Sequence, residues 1–316
     1  MLTGSFGDIG RMVVAIQSGS ERDIAKAIRP ITEALLFTTP VIFVALGVGF
    51  ALHARLFNFG ASGQFAMGSF GTVVAASLLA GALPPAIVLV LAIAIGTLSG
   101  AAYGFIPGVL KARTGAHEVI TTLMLNSLTG LATYLIGLAL AALVDPGGSG
   151  GNGGLPPALP SVPRIFDIET IRLDWGFVAA LVMAAVVSFV LFRTNLGFEL
   201  RATGFSFSAA RSAGMRPGRV TILAMSISGG LVGMGGALLS LGAAGGMTGT
   251  RAGFVALALA LIAGLRPSGI VLACLLYGLL NNGAKTMVVE TGTPLDLLDV
   301  LIAVTLMFVA APNFIR

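Results

Sequence analysis

Charged side chains make up only 10% of this 316-residue chain. A soluble domain carries about a quarter, so most of this surface cannot face water. There is one cysteine, Cys274, which excludes an internal disulfide. The two histidines, His53 and His117, are far apart and have no cysteine partners. They are expected at membrane–water boundaries, and neither a metal site nor a bound cofactor is expected. No histidine stands near a plausible buried nucleophile and acid, which argues against a catalytic triad and against an enzyme. "GLLNNGAKT", Gly278–Thr286, has one residue too many before its lysine to be a phosphate-binding loop. No ATP-binding motif is therefore read in this chain. Met12–Ile16 is too short an apolar core for a signal peptide.

Hydrophobic residues make up 56% of the chain. Candidate spans fall at about 34–52, 61–81, 85–110, 119–143, 175–192, 220–243, 253–265, 268–285 and 296–313. Several reach the roughly 20 residues needed to cross a bilayer as helix. The seventh is short, as a half-span or broken helix would be. None shows the alternation of a barrel strand. The expected fold is all-α, a polytopic transmembrane bundle of about nine spans. Residues 1–33 form an amphipathic N-terminal segment and 34–316 the membrane domain, with a cytoplasmic loop at 193–219.

Loop charge sets the orientation. With 193–219 inside, the inner loops hold ten Lys/Arg and two acids, and the outer segments eight basic and eleven acidic residues. This puts the N-terminus outside. The high pI is a topology signal, not a sign of nucleic-acid binding. The outer stretch "DPGGSGGNGGLPPALPSVPR", Asp145–Arg164, reads as a tether or a docking surface for an external partner.

No Asp, Glu, Lys or Arg falls in the middle of a predicted span, which argues against proton or ion coupling. Uncharged polar groups do occur there. Asn58 and Gln64 flank a glycine-broken helix start, Thr122 and Asn126 follow in "HEVITTLMLNSLTG", and Asn281 lies in "LLYGLLNNG". Such side chains either glue helices together or line the path of a neutral, hydroxyl-rich solute. Glycine stripes at 96, 100, 104 and 108, and at 229, 230, 233 and 236 (with Ser226), mark faces where helices pack closely, within one subunit or at a dimer seam.

The loop "LGFELRATGFSFSAARSAGMRPGRV" carries Arg201, Arg211, Arg216 and Arg219 against Glu199. Within it Ser206 is a helix cap, Gly214 a stop, and Pro217 prevents continuation. A helix of some seven residues cannot stand alone, so it needs a partner surface.

These motifs resemble the permease subunits of bacterial ATP-driven (ABC) importers, in the superfamily that carries branched-chain amino acids, ribose and nucleosides. "LFNFGASGQFAMGSFG" is similar to its signature, "GAHEVITTLMLN" to the simple-sugar and nucleoside branch, and "LRATGFSFSAARSAGM" to its cytoplasmic loop. Ser62 stands where that family often has an acid, and the family's usual first helix is absent. The resemblance implies an inner-membrane permease moving a nucleoside or simple sugar. Its implied partners are ABC ATPase subunits, a second permease subunit and an extracytoplasmic solute-binding protein, all at a lipid bilayer. It also implies that Arg201, Gly204, Ser206, Ser208, Ala209, Ala210, Arg211 and Gly214 couple to the ATPase. Asn58, Gln64, Thr122, Asn126 and Asn281 would lie on the substrate path. The competing reading is a stand-alone facilitator or secondary transporter of a small neutral solute.

Overall fold

In the computed structural model, the described residues are 21–144, 161–164, 173–242, 249–291, 300 and 304. They form ten helices, named here α1 (Glu21–His53), α2 (Ala61–Leu79), α3 (Pro85–Thr114), α4 (Glu118–Val144) and α5 (Trp175–Arg193). After these come α6 (Asn195–Phe205), α7 (Phe207–Ser212), α8 (Pro217–Leu241), α9 (Gly249–Ile262) and α10 (Pro267–Thr291). No β-strand occurs among the described residues. Among the described residues six helices are long and apolar enough to cross a membrane: α1, α3, α4, α5, α8 and α10. The chain is a multi-pass membrane protein. The ninth expected span, 296–313, lies outside the described residues apart from two positions, as do residues 1–20 and most of 145–164.

Of the expected N-terminal segment, residues 1–20 lie outside the described residues. Helix α1 runs unbroken from Glu21 to His53, through Pro30 and Pro40. Its apolar window is 89% buried, which makes α1 the central post of the bundle. Thr38 and Thr39 donate their hydroxyls to the carbonyls of Ala34 and Leu35, one turn back, at 2.7 and 3.1 Å.

The two predicted glycine stripes face each other. A Cβ placed on Gly100 would stand 2.5 Å from the Gly229 carbonyl and 2.6 Å from Gly233 Cα. One on Gly104 would stand 2.5 Å from the Met225 carbonyl, and one on Gly233 2.8 Å from Gly100 Cα. Helix α2 closes the third side, with Gly68 against the Gly233 backbone and Ser69 donating to the Gly236 carbonyl at 2.9 Å. In lipid no hydrophobic drive brings helices together, so close backbone contact supplies the attraction through van der Waals and Cα–H···O interactions. The stripes therefore pack α2, α3 and α8 within one subunit.

Loops assigned to the cytoplasm meet at one end of the bundle. Gly204 lies on the backbone of His53 and Ala54, and Gly218 lies beside Ala112. At the other end Val162 donates its N–H to the Leu241 carbonyl at 2.8 Å, and Asn282 its amide to the Pro30 carbonyl at 2.8 Å. So residues 161–164 lie against the C-terminal end of α8.

Two helices begin inside the bundle. Gln64, in the first turn of α2, reaches Gly104, ten residues before the end of α3. At 1.5 Å per residue that is about 15 Å from the C-terminal tip of α3. Helix α9 starts at similar depth: a Cβ on Gly253 would stand 3.0 Å from Ser62 Oγ. Its other end lies near Gly49, whose Cβ would meet Ala260 at 3.7 Å. The short seventh span is thus a half-helix running toward the end of the bundle where α1 terminates.

Candidate functional site

Because α2 starts away from water, its first N–H groups need protein partners. Its N-cap, Gly60, has no side chain to offer. Asn58 and Asn126 substitute. Asn58 Oδ1 accepts from Gly60 N at 3.1 Å, and Asn126 Oδ1 accepts from Gly63 N at 2.8 Å. Asn126 Nδ2 also donates to the Phe59 carbonyl at 2.6 Å.

Asn58 and Gln64 then form a reciprocal amide pair. Asn58 Nδ2 donates to Gln64 Oε1 at 2.7 Å, and Gln64 Nε2 donates back at 3.1 Å. The second N–H of Asn58 goes to Ser228 Oγ on α8 at 2.8 Å. Ser228 was not singled out in the sequence, although a hydroxyl beside the glycines of a span is a signal for such a bond. Tyr103 and Thr129 were missed as well. Tyr103 donates to the Leu125 carbonyl at 2.7 Å and accepts from Thr129 at 2.9 Å.

Of the five residues expected on a substrate path, four gather here. Asn58 and Gln64 are 1% exposed and Thr122 is fully buried, its hydroxyl on the Glu118 carbonyl at 2.7 Å. In this conformation all three serve the bundle. Asn126 is half-buried and keeps one N–H and one lone pair beyond its two bonds. Asn281 lies elsewhere, in the C-terminal half of α10, and its buried amide oxygen accepts no hydrogen bond.

Asn126→Leu would strand the Gly63 N–H and the Phe59 carbonyl. An unmade hydrogen bond at a buried group costs about 1–3 kcal/mol. The expected result is a lower melting temperature of the purified protein together with reduced uptake. An unchanged melting temperature would show that these bonds do not hold α2.

The 193–219 segment folds as two short helices. Thr194 caps α6 by accepting from Gly197 N at 3.3 Å, and Ser206 caps α7 by accepting from Ala209 N at 3.3 Å. Helix α7 ends as the sequence implied. Gly214 has φ 82°, its N–H bonds the Arg211 carbonyl and that of Met215 bonds Ala210, both at 3.1 Å. This is a Schellman stop.

The eight expected coupling residues divide. Ser208, Ala209 and Arg211 are exposed, while Ser206 and Gly214 shape the helix ends. Ala210 is 3% exposed and faces the permease itself, so it is not a partner-facing residue. Gly204 is consumed by contact with α1. Arg201 bonds the Gly197 carbonyl at 3.2 Å, and its guanidinium lies 5.2 Å over the Phe192 ring. Two prominent residues were missed. Phe205 and Phe207, flanking the cap, are 79% and 56% exposed. Two aromatics on either side of the Ser206 cap were the available signal.

Arg193, Arg211, Arg216 and Arg219 are all exposed and make no ion pair among the described residues. This end of the bundle thus presents aromatic knobs within a field of positive charge. Among the described residues no group of His, Cys, Asp or Glu could hold a metal ion.

Residues 31–310 match the family described as "Branched-chain amino acid transport system / permease component". The chain is 36% identical over 291 residues to the guanosine ABC transporter permease protein NupP of Bacillus subtilis, covering 90% of this chain and 82% of that one. It is 32% identical to the nucleoside ABC transporter permease protein NupB of Lactococcus lactis, covering 91% and 81%. The glucose ABC transporter permease protein TsgB13 of Haloferax volcanii is 29% identical, covering 90% and 77%. With its multi-pass helical bundle and this match over nearly its whole length, the chain belongs to the branched-chain amino acid transport permease family and is a transport subunit of an ABC importer, not an enzyme.

Proposed function

We propose that this permease carries a nucleoside across a bacterial inner membrane, powered by ATPase subunits that bind at α6–α7. The observation that carries the cargo is the pair of nucleoside-named relatives at 36% and 32% identity over about nine-tenths of the chain. The glucose-named relative at 29% keeps a simple sugar as the second reading. A second permease, identical or related, completes the pore, and a solute-binding protein delivers the ligand outside.

The coupling reading rests on shape and charge. Seven-residue-scale helices are marginal alone, yet α7 is capped, stopped and held against the bundle through Ala210. Its opposite face offers Phe207, Ser208, Ala209 and Arg211 to a groove. Asn126, with hydrogen-bonding capacity to spare, is the sequence-derived path residue we retain as a solute contact in this conformation. The other path residues reach solute only if the bundle rearranges around them.

The test is uptake by proteoliposomes holding the permease with its co-purified ATPase, second permease and binding protein. ATP-dependent accumulation of labelled guanosine, unaffected by collapsing the proton gradient, is expected. Preferential uptake of glucose would replace the cargo. Downhill uptake by the permease alone would favour a facilitator.

A further inference from the structure

Three phenylalanines stand together where α2 and α9 begin. Phe57 and Phe59 lie in the non-helical stretch 54–60 between α1 and α2, and Phe254 lies in the second turn of α9. The Phe57 and Phe59 rings are nearly parallel, 16° apart, with centroids separated by 6.3 Å. Phe59 and Phe254 are 5.6 Å apart, centroid to centroid. These are the spacings of aromatic rings in contact. Phe57 is 41% and Phe254 54% exposed, so the row keeps open ring faces instead of filling the core.

Depth decides what those faces meet. The Phe59 carbonyl accepts from Asn126, which lies about 12 Å along α4 from Glu118. Non-helical backbone at membrane depth is tolerated only where it is buried in protein or lines a water-filled cavity. The exposed rings at this stretch therefore border a cavity or another chain, and not acyl tails. Beside them Asn126 keeps one N–H and one lone pair beyond its bonds to Phe59 and Gly63.

Ring faces with one planar donor–acceptor group beside them match a nucleobase, which is stacked on its face and hydrogen-bonded at its edge. None of these groups is charged, which suits a neutral base. A hexose is served worse, because hydroxyls surround its ring and phenyl groups pair with none of them. We infer that Phe57, Phe59 and Phe254 form a stacking platform for the base of a nucleoside in transit, with Asn126 at its edge. The inference rests on the reading of the cargo as a nucleoside, and adds that the permease recognises the base and not the ribose. Every base has a π-face, so the platform passes purine and pyrimidine nucleosides alike and discriminates against free ribose.

The first arm of the test uses the complex of permease, second permease and ATPase in nanodiscs, with 8-azidoguanosine as photoprobe. Binding protein is left out, so that competition is read at the permease. Illumination should label peptides containing Phe57–Phe59 or Phe254. Excess guanosine or uridine should suppress the label, and excess ribose should not. The second arm measures guanosine uptake by the complete transporter at saturating binding protein. Phe254→Ala and Phe254→Leu should each lower it about tenfold, within the range that one base–aromatic stack contributes. Phe254→Tyr keeps the ring face and should restore it. Normal uptake in Phe254→Ala overturns the platform, as does label confined to other peptides in a complex that transports guanosine. Loss of the second permease from purified Phe254→Ala complexes also overturns it, since the rings would then be a subunit interface. Equal suppression by ribose moves recognition to the sugar and overturns it too. If the unsubstituted transporter accumulates glucose and not guanosine, it is the nucleoside reading that fails, and the platform falls with it.

Discussion

Gly233→Val is expected to leave almost no folded permease, whereas Gly130→Val is expected to be silent. The two glycines look alike in sequence, each in the middle of an apolar helix. A Cβ on Gly233 would sit 2.8 Å from Gly100 Cα and 2.9 Å from the Gly96 carbonyl, while nothing lies within 4 Å of one on Gly130. Carbon atoms in contact prefer about 3.5–4.0 Å. Because the obstacle is backbone, no rotamer relieves it, and α3 must move off α8. Overpacking usually costs about 1–3 kcal/mol, and a branched side chain here adds to that by breaking contact along the whole seam. Detergent-solubilised yield and melting temperature measure the result. Gly233→Ala should fold with a melting point several degrees lower. A Gly233→Val protein of normal yield and stability would show that the seam is not close-packed.

Ala209→Glu should abolish ATPase association while leaving the permease itself as stable as before. Ala209 is exposed beside Phe207 and Arg211, so a carboxylate there does no harm until a partner arrives. Phe207→Ala should weaken the same contact about 30-fold, taking about 2 kcal/mol for a truncated aromatic anchor. Ala210→Glu should behave differently. Its side chain turns inward, so the charge would lift α7 from the bundle and lower the permease's own stability as well. Association is read by co-purification and by ATP turnover coupled to uptake. Full association in both Ala209→Glu and Phe207→Ala would reduce α7 to a solvated basic loop.

How much of this was legible in the sequence depends on what kind of information each feature needs. Span positions follow from local hydropathy, and the described helices match them closely. The α7 helix was readable too, because Ser206, Gly214 and Pro217 act on their own backbone. The glycine stripes announced close packing but not which helix each would meet, since that choice is made by shape across 130 residues of chain. The polar residues misled most. Asn58 and Asn281 look equivalent in sequence, yet one is fully bonded at the start of α2 and the other lies in the C-terminal half of α10 with its oxygen unbonded. Composition cannot tell an amide used as a helix cap from one waiting for a solute. Ala210 went the same way, since a six-residue helix has no periodicity long enough to show which side faces in.

The starting depth of α2 also has a consequence for how the protein is made. Helix α2 is not among the six segments apolar enough to cross a membrane unaided. Its entrance into the bundle depends on Asn58, whose partner Ser228 lies 170 residues later in the chain. While the ribosome is still working through α3 to α7, that amide has no α8 to bond. The half-made chain must hold α2 in place as part of a hairpin with α3 until α8 arrives. Nascent chains ending before α8 are therefore the vulnerable intermediates of biogenesis, the ones that membrane chaperones and proteases would be first to recognise.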